Sequence, residues 1–288
     1  MTLEPWTICR VLTWATEDFQ ARGIESARLD AELLLAHALE TDRIHLILDH
    51  DRPLSRSELD SYRRLIQRRR AGEPVAYLVG TREFYGLPIQ VDARVLIPRP
   101  DTETLVEVAL QGTRGQKVDG RALDLCTGSG CVALAFARQR RTWVTTGIDL
   151  SEAAIDVARR NAERLGLVEG TRFLTGDLLA PLGPDEQFEL IVANPPYIPS
   201  AEVLELERSI RDFEPRLALD GGEDGLRVLR RIIGEAPARL VPAGVLALEV
   251  GYDQASEVAD VMDRAGFMDV GRHRDYGGLD RVVSGRKG

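Results

Sequence analysis

From residue 121 the chain alternates between short apolar runs and amphipathic helical stretches, and this restricts the fold more than any other feature. RALDL precedes GCVALAFARQ and WVTTGID precedes SEAAIDVARRNAERLG. TRFLTGD and FELIVAN follow, then DGLRVLRRIIGEA and GVLALEV. A helix between two strands returns the chain to lay the second strand parallel to the first. The pattern therefore predicts βαβ units and a mostly parallel sheet. Ser151 is placed to cap its helix, Ile155, Ala158, Ala162 and Leu165 share one face, and Gly166 stops it. The closing stretch FMDVGRHRDYGGLDRVVSG has no helix between its strands, which predicts an antiparallel hairpin at one sheet edge.

Ahead of this region, residues 1–72 read as helical, with LDAELLLAHAL and RIHLILDH apolar at helix spacing. Ser55-Arg56-Ser57-Glu58 matches a capping box, so a helix opens there and runs to Ala71, with Gly72 as its stop. Its Arg63, Arg64, Arg68, Arg69 and Arg70 form either a solvated face or a docking surface for an acidic partner. Residues 73–100 are rich in β-branched and aromatic residues, with turn signals at Gly86 and Pro88, and read as a β-hairpin linker. Asp101 reads as the N-cap of a helix that buries Leu105, Val108 and Ala109. The expected division is a helical domain at 1–72, a linker at 73–100 and an α/β domain at 101–288.

The totals narrow the function classes. A net charge of −9 opposes a duplex-DNA partner, whose phosphates call for a basic field. No apolar run approaches the roughly 20 residues of a membrane span. The opening MTLEPWTICR has no basic stretch followed by an apolar one, so no secretion signal is expected. Three cysteines, Cys9, Cys126 and Cys131, without a CxxC pair argue against disulfides or zinc and fit a reducing cytoplasm. His37, His45, His50 and His273 have no metal-ligand spacing, and His45 and His50 read as helix-surface residues.

Two loops carry the chemistry. DLCTGSGCVA lies between the first strand and helix of the α/β region, where an open sheet binds ligands. Gly128 and Gly130 permit a sharp turn and close approach of backbone to ligand. Asp149 ends the next strand, about 20 residues on, where an acid accepts from ribose hydroxyls. A ribose-bearing cofactor follows, either NAD or S-adenosylmethionine. Asp177, after the third strand, either accepts from an adenine amino group or caps a turn. The fourth strand ends abruptly in ANPPYIPS, whose prolines cannot donate to a sheet and so make a stiff loop. A nicotinamide enzyme finds no acid, base or hydride path there. Methyl transfer to an amino or amide nitrogen needs hydrogen-bond acceptors to orient that nitrogen. The Asn194 side chain and Pro195 carbonyl are such acceptors, with Tyr197 as a stacking surface and the prolines holding the geometry.

The combination of DLCTGSG with NPPY resembles the class I S-adenosylmethionine-dependent amino-group methyltransferases. Within these the chain closely resembles the HemK-type peptide chain release factor glutamine methyltransferases. The resemblance spans LDAELLLAHAL, GEPVAYLVGTREFYG, VLIPRPDTETLVE, EPRLALDGGEDGL, LEVGYDQ and DYGGLDRVV. It implies a seven-stranded Rossmann-like methyltransferase fold behind a small helical domain that recognises the release factor. It also implies N5-methylation of the glutamine in the release factor's Gly-Gly-Gln motif, an event of translation termination, by a cytoplasmic monomer that contacts neither membrane nor nucleic acid.

By the same resemblance Cys126, Thr127, Gly128, Ser129, Gly130, Asp149, Asp177, Leu178 and Asn194 bind the cofactor. Asn194, Pro195, Pro196 and Tyr197 hold the glutamine amide; Arg99, Pro100 and Thr102 border the cofactor; Glu214 and Pro215 shape the site or pin a loop. Cys126 stands where the family often has glycine, so no positive φ is expected there, nor thiol catalysis. Leu178 stands where some relatives carry an aromatic ring and is expected only as an apolar wall. CTGSGC is also similar to the enzymes that methylate a glutamine of a large-subunit ribosomal protein, but those lack PDTETL after IPR. DNA adenine methyltransferases, which share NPPY, and NAD oxidoreductases are the remaining alternatives.

Overall fold

The structure, a computed structural model, describes residues 5–288, so the first four residues of the leader reading lie outside the described residues. The chain divides into two compact units, Met1–Gly80 with Arg208–Phe213, and Thr81–Glu207 with Glu214–Gly288. Among the described residues no helix is long and apolar enough to cross a membrane.

The first unit is helical: α1 (Ile8–Ala21), α2 (Ala27–Ala38), α3 (Arg43–Leu48), α4 (Arg56–Arg70), α5 (Val75–Val79) and the short α9 (Arg208–Arg211). The capping box at α4 forms in both directions: Ser55 Oγ accepts from the Glu58 amide and Glu58 Oε2 from the Ser55 amide. The unit continues past Gly72 because Leu78 of α5 is buried in the same core as Phe19, Leu34 and Ile66. Tyr62, also in that core, donates its hydroxyl to the Ala31 carbonyl at 3.0 Å. Of the arginines of α4, Arg63, Arg64 and Arg68 are exposed, as a solvated face requires, while Arg69 and Arg70 differ from both readings of the sequence. Arg69 pairs with the buried Asp30 at 2.8 Å and Arg70 with Asp18 at 2.7 Å, so these two fasten α4 to α2 and α1. Arg68 pairs with Glu73 and Arg63 with Asp60.

The second unit opens with the hairpin β1 (Thr81–Phe84) and β2 (Leu87–Gln90). The hairpin is a built part of this unit: the buried Asn161 side chain accepts from the Gln90 amide at 2.7 Å and donates to its carbonyl at 3.0 Å. A 3-10 turn at Pro100–Thr102 leads into α6 (Glu103–Gly112), which buries Leu105, Val108 and Ala109. Asp101 is therefore inside the turn and caps nothing; its carboxylate pairs with Arg281 at 3.4 Å. The alternation from residue 121 yields β3 (Arg121–Leu125), α7 (Cys131–Gln139), β4 (Val144–Asp149), α8 (Glu152–Leu165), β5 (Thr171–Thr175) and β6 (Phe188–Ala193). After β6 come the short β7 (Ile198–Pro199) and β8 (Asp220–Gly222), which pair parallel to each other. Then follow α10 (Arg227–Glu235), β9 (Leu240–Glu249), α11 (Ala255–Arg264), β10 (Phe267–Arg274) and β11 (Asp280–Lys287).

Seven strands form one sheet in the order β5-β4-β3-β6-β9-β11-β10. It is parallel from β5 to β9, and β11 and β10 close it as an antiparallel edge hairpin, as the missing helix between them predicts. Every residue of β6 is buried, which accounts for the apolar run from Leu190 to Ala193, since a central parallel strand is covered on both faces; Glu189, the one charged residue of the strand, accepts from the Arg121 amide at 2.7 Å. Ser151 caps α8 by accepting from the Ala154 amide, and Gly166 ends the helix left-handed. This is the class I methyltransferase fold.

Candidate active site

At β3 the strand order reverses: β4 and β5 lie to one side, β6 and β9 to the other. The loops leaving β3 and β6 consequently begin side by side at carboxyl ends, where neighbouring connections diverge and leave a crevice. These are the loops CTGSG and NPPY. They border a cavity of about 410 Å³, within the roughly 300–1,000 Å³ typical of small-molecule sites.

Cys126, Thr127, Gly128, Ser129, Asp149, Asp177, Leu178, Asn194 and Pro196 all line this cavity. Asp149 is aimed by two backbone amides, Gly128 to Oδ2 and Ser151 to Oδ1, each at 2.9 Å, and burial raises its pKa. Beneath the first loop, Asp124 Oδ2 accepts from the Thr127 hydroxyl at 2.6 Å and the Ala133 amide at 3.1 Å. Burial pushes Asp124 up to about 7. Asn161 donates to the Ser129 carbonyl at 2.9 Å, tying the same loop to α8 and the hairpin. Gly130 does not line the cavity; a Cβ there would sit 3.1 Å from that of Ala158, so its absence lets α7 close on α8.

Cys126 adopts φ +58°, contrary to the expectation that a cysteine here excludes a left-handed turn. The turn after β3 is dictated by the Thr127–Asp124 and Gly128–Asp149 bonds, so the chain takes it with a Cβ present. Burial drives both cleft thiols, Cys126 and Cys131, above the ordinary range, away from nucleophilic character. Leu178 is an apolar wall, and it too is left-handed at φ +48°. The Asp177 carboxylate does not cap a turn. It forms a two-pronged pair with Arg231 of α10, both contacts at 3.1 Å, at the edge of the cleft.

In the second loop, Asn194 Nδ2 donates to Thr102 Oγ1 at 3.2 Å, which leaves Oδ1 as the end able to accept from a ligand. Pro195 is buried, and neither it nor Tyr197 lines the cavity. The Tyr197 hydroxyl donates to Glu249 Oε1 at 3.4 Å, and burial raises its pKa. The Tyr197 hydroxyl thus braces the loop against the end of β9, a contact the stacking role read from the sequence did not include.

Several braces behind this loop are invisible to spacing. Gln254 donates to the Tyr197 carbonyl at 2.8 Å and accepts from the Gly251 amide at 2.9 Å. A Cβ at Gly221 would lie 2.8 Å from the Pro196 carbonyl oxygen, and one at Gly225 would overlap the Tyr197 carbonyl. That contact is the physical reason for glycines in GGEDGL. Glu214, nearly buried, accepts from the Ile97 amide at 3.0 Å and pairs with Arg99 at 2.5 Å, so it pins the IPRP segment; Pro215 lines the cavity.

The residues present fit S-adenosylmethionine. A carboxylate stands at the end of β4, Ile148, Leu150, Leu178 and Val228 provide apolar walls for a purine, and a Cβ at Gly128 would meet no protein atom within 4 Å. Leu150 follows Asp149 directly, so position relative to the strand end was the available signal for it.

Comparison with known proteins agrees with this geometry. Residues 10–80 match the PrmC N-terminal domain and residues 102–211 the methyltransferase small domain. The chain is 45% identical over 290 residues to a release factor glutamine methyltransferase of Geobacter sulfurreducens, covering all of both chains. It is 43% identical to the Vibrio cholerae protein of the same name, over 97% of this chain and 96% of that one. A methyltransferase of Pyrococcus furiosus shares the fold, with TM-score 0.52 and 19% identity over 78% of this chain and 98% of the other. Identity of 45% is sustained over the full length of both chains, and on that ground the chain belongs to the release factor glutamine methyltransferase family, a family of S-adenosylmethionine-dependent enzymes.

Proposed function

We propose that the chain methylates the side-chain amide nitrogen of a release-factor glutamine, the one in the Gly-Gly-Gln motif. The observation that carries this reading is the orientation of Asn194. With Nδ2 engaged by Thr102, its Oδ1 is an acceptor at the border of the cofactor cleft. An amide nitrogen is a weak nucleophile because its lone pair is shared with the carbonyl. Acceptors for its hydrogens hold it in one orientation and stabilise the positive charge that builds on the nitrogen as the new bond forms, and the surplus proton passes to solvent. S-adenosylmethionine, when bound, supplies an activated methyl group. What remains for the protein is positioning. Asn194 Oδ1 accepts from the substrate amide at the border of the cleft, and Asp149 accepts from the ribose. The names of full-length relatives support a release factor as substrate. The helical unit is assigned to recognition of that factor.

The test uses labelled S-adenosylmethionine with unmethylated release factor, a Gly-Gly-Ala variant of it, the large-subunit ribosomal protein and an adenine-containing duplex. Label on the Gly-Gly-Gln peptide alone, located by mass spectrometry, is the expected result. Label on either of the other substrates, with none on the release factor, would overturn it.

A further inference from the structure

Glu249, the last residue of β9, is 1% exposed. Its Oε1 accepts from Tyr197, while its Oε2 is buried with no hydrogen bond of acceptable geometry. The Thr102 hydroxyl nonetheless lies close enough to favour the ionised carboxylate. An unpaired buried carboxylate oxygen is destabilising and calls for a reason. The proposed chemistry assigns this group no task.

A reason lies in the direction of the hydrogen bonds. The Thr102 hydroxyl accepts from Asn194 Nδ2 at 3.2 Å. A hydroxyl has one hydrogen and two lone pairs, and an ionised carboxylate can only accept. With Glu249 ionised, the Thr102 hydrogen turns toward it, and a lone pair remains for the Asn194 amide group. The donors then run one way, from amide to hydroxyl to carboxylate, and the Asn194 carbonyl is left for the substrate. Protonated Glu249 becomes a donor. The Thr102 hydroxyl can then accept from Glu249 and give its own hydrogen to Asn194, which favours the flipped amide. A flipped Asn194 would present NH2 to the NH2 of a glutamine, and the two donors repel.

We propose that Glu249 and Thr102 are positioning residues that set the polarity of the Asn194 amide, so that methyl transfer requires ionised Glu249. The inference rests on the glutamine reading above and deepens it. Glu249 is faced by Tyr197 from the NPPY loop, Thr102 and Asp101 from the 3-10 turn, Arg281 from β11 and Cys131 from α7. Arg281 favours its charge and Asp101 opposes it, while Arg281 is itself held by Asp275 at 3.2 Å. Burial outweighs these and pushes Glu249 up to about 7, so its charge changes across neutral pH.

The experiment is kcat against pH, from 6 to 9, with the release factor saturating, for the wild type, Glu249→Gln, Thr102→Val and Thr102→Ser. Cofactor affinity is measured by calorimetry for each. Wild-type kcat should climb with pH through an ionisation near neutrality, and Glu249→Gln should lack that limb. Thr102→Val should lower kcat by about tenfold or more, with cofactor affinity changed by less than about threefold. Thr102→Ser, which keeps the hydroxyl, should retain most of the turnover. A wild-type acid limb persisting in Glu249→Gln, or wild-type kcat in Thr102→Val, overturns the inference and leaves the glutamine reading standing. If Glu249→Gln fails to bind cofactor, the contrast between the two Thr102 variants decides alone. Absence of any label on the release factor with wild-type protein would instead remove the glutamine reading and this inference together.

Discussion

At Asn194 the outcome turns on a single planar amide whose two ends differ only in donor and acceptor character. Removing it takes away an interaction that orients the reacting nitrogen, while the cofactor keeps Asp149 and the apolar walls. Asn194→Ala should therefore lower kcat by about 100-fold and leave cofactor affinity nearly intact, as single-turnover kinetics and calorimetry would reveal. Equal losses in both would reassign Asn194 to cofactor binding. Cys126 makes a different prediction. Its φ of +58° strains a residue with a Cβ, so Cys126→Gly should stabilise the fold by up to about 1 kcal/mol in urea unfolding. Cys126→Val, β-branched in the same backbone region, should destabilise it; the opposite order would show that the thiol's packing outweighs the strain. The sequence named this position correctly as part of the cofactor loop but misjudged its backbone. Residue type indicates what a position tolerates easily, whereas the bonds around Thr127 and Gly128 decide which conformation it must adopt.

Among elements, the β6 loop and the β8–α10 connection form a single device. The NPPY loop continues into β7, which pairs with β8, and the Ile198 amide donates to the Leu219 carbonyl at 3.0 Å. Gly225, at φ +75°, lets this layer sit directly on the Tyr197 carbonyl and the Gln254 side chain. A Cβ there must displace one of them. Gly225→Ala is expected to lower both melting temperature and kcat while sparing cofactor affinity, because none of these groups touches the Asp149 side of the cleft. A variant with normal turnover would show that the loop holds its shape without that support. The strands, their order of appearance and the caps of α4 and α8 were legible from periodicity and local chemistry. The two-residue β7 was not, since its pairing with β8 depends on residues some twenty positions away and leaves no periodic mark.

For the molecule as a whole, the ionisation of buried groups links stability to pH. Asp124 and Glu249 are each pushed up to about 7 by burial, and Asp149 is raised as well. Above the ordinary carboxylate pKa and below about 7, the folded state binds more protons than the unfolded chain at Asp124 and Glu249, and Asp149 acts in the same direction. Their contribution to stability is therefore present at low pH and is lost as pH rises through about 7. Carboxylates held by arginines or backbone amides, such as Asp18, Glu32, Glu58 and Asp275, act in the opposite sense: their contribution is lost as pH falls through their lowered values. Urea midpoints should consequently peak at mildly acidic pH and decline toward pH 8. Asp124→Asn should flatten that decline; an unchanged slope in this variant would exclude Asp124 as a source of it. Turnover is expected to move the other way, since the ionised Glu249 that methyl transfer requires is the form that burial disfavours.

The sequence by itself determined the α/β class, the edge hairpin, the helical front unit, the two loops that meet at the cleft and the family, because strand and helix periodicity, caps and short motifs are local and survive without coordinates. Tertiary structure alone decided what those loops rest on. Thr102 meets Asn194 across 92 positions, Tyr197 meets Glu249 across 52, and Asn161 joins the hairpin across 71. No pattern of spacing encodes such pairs. They are products of strand order and burial, which bring distant polar groups into one dry layer and leave them only each other as partners.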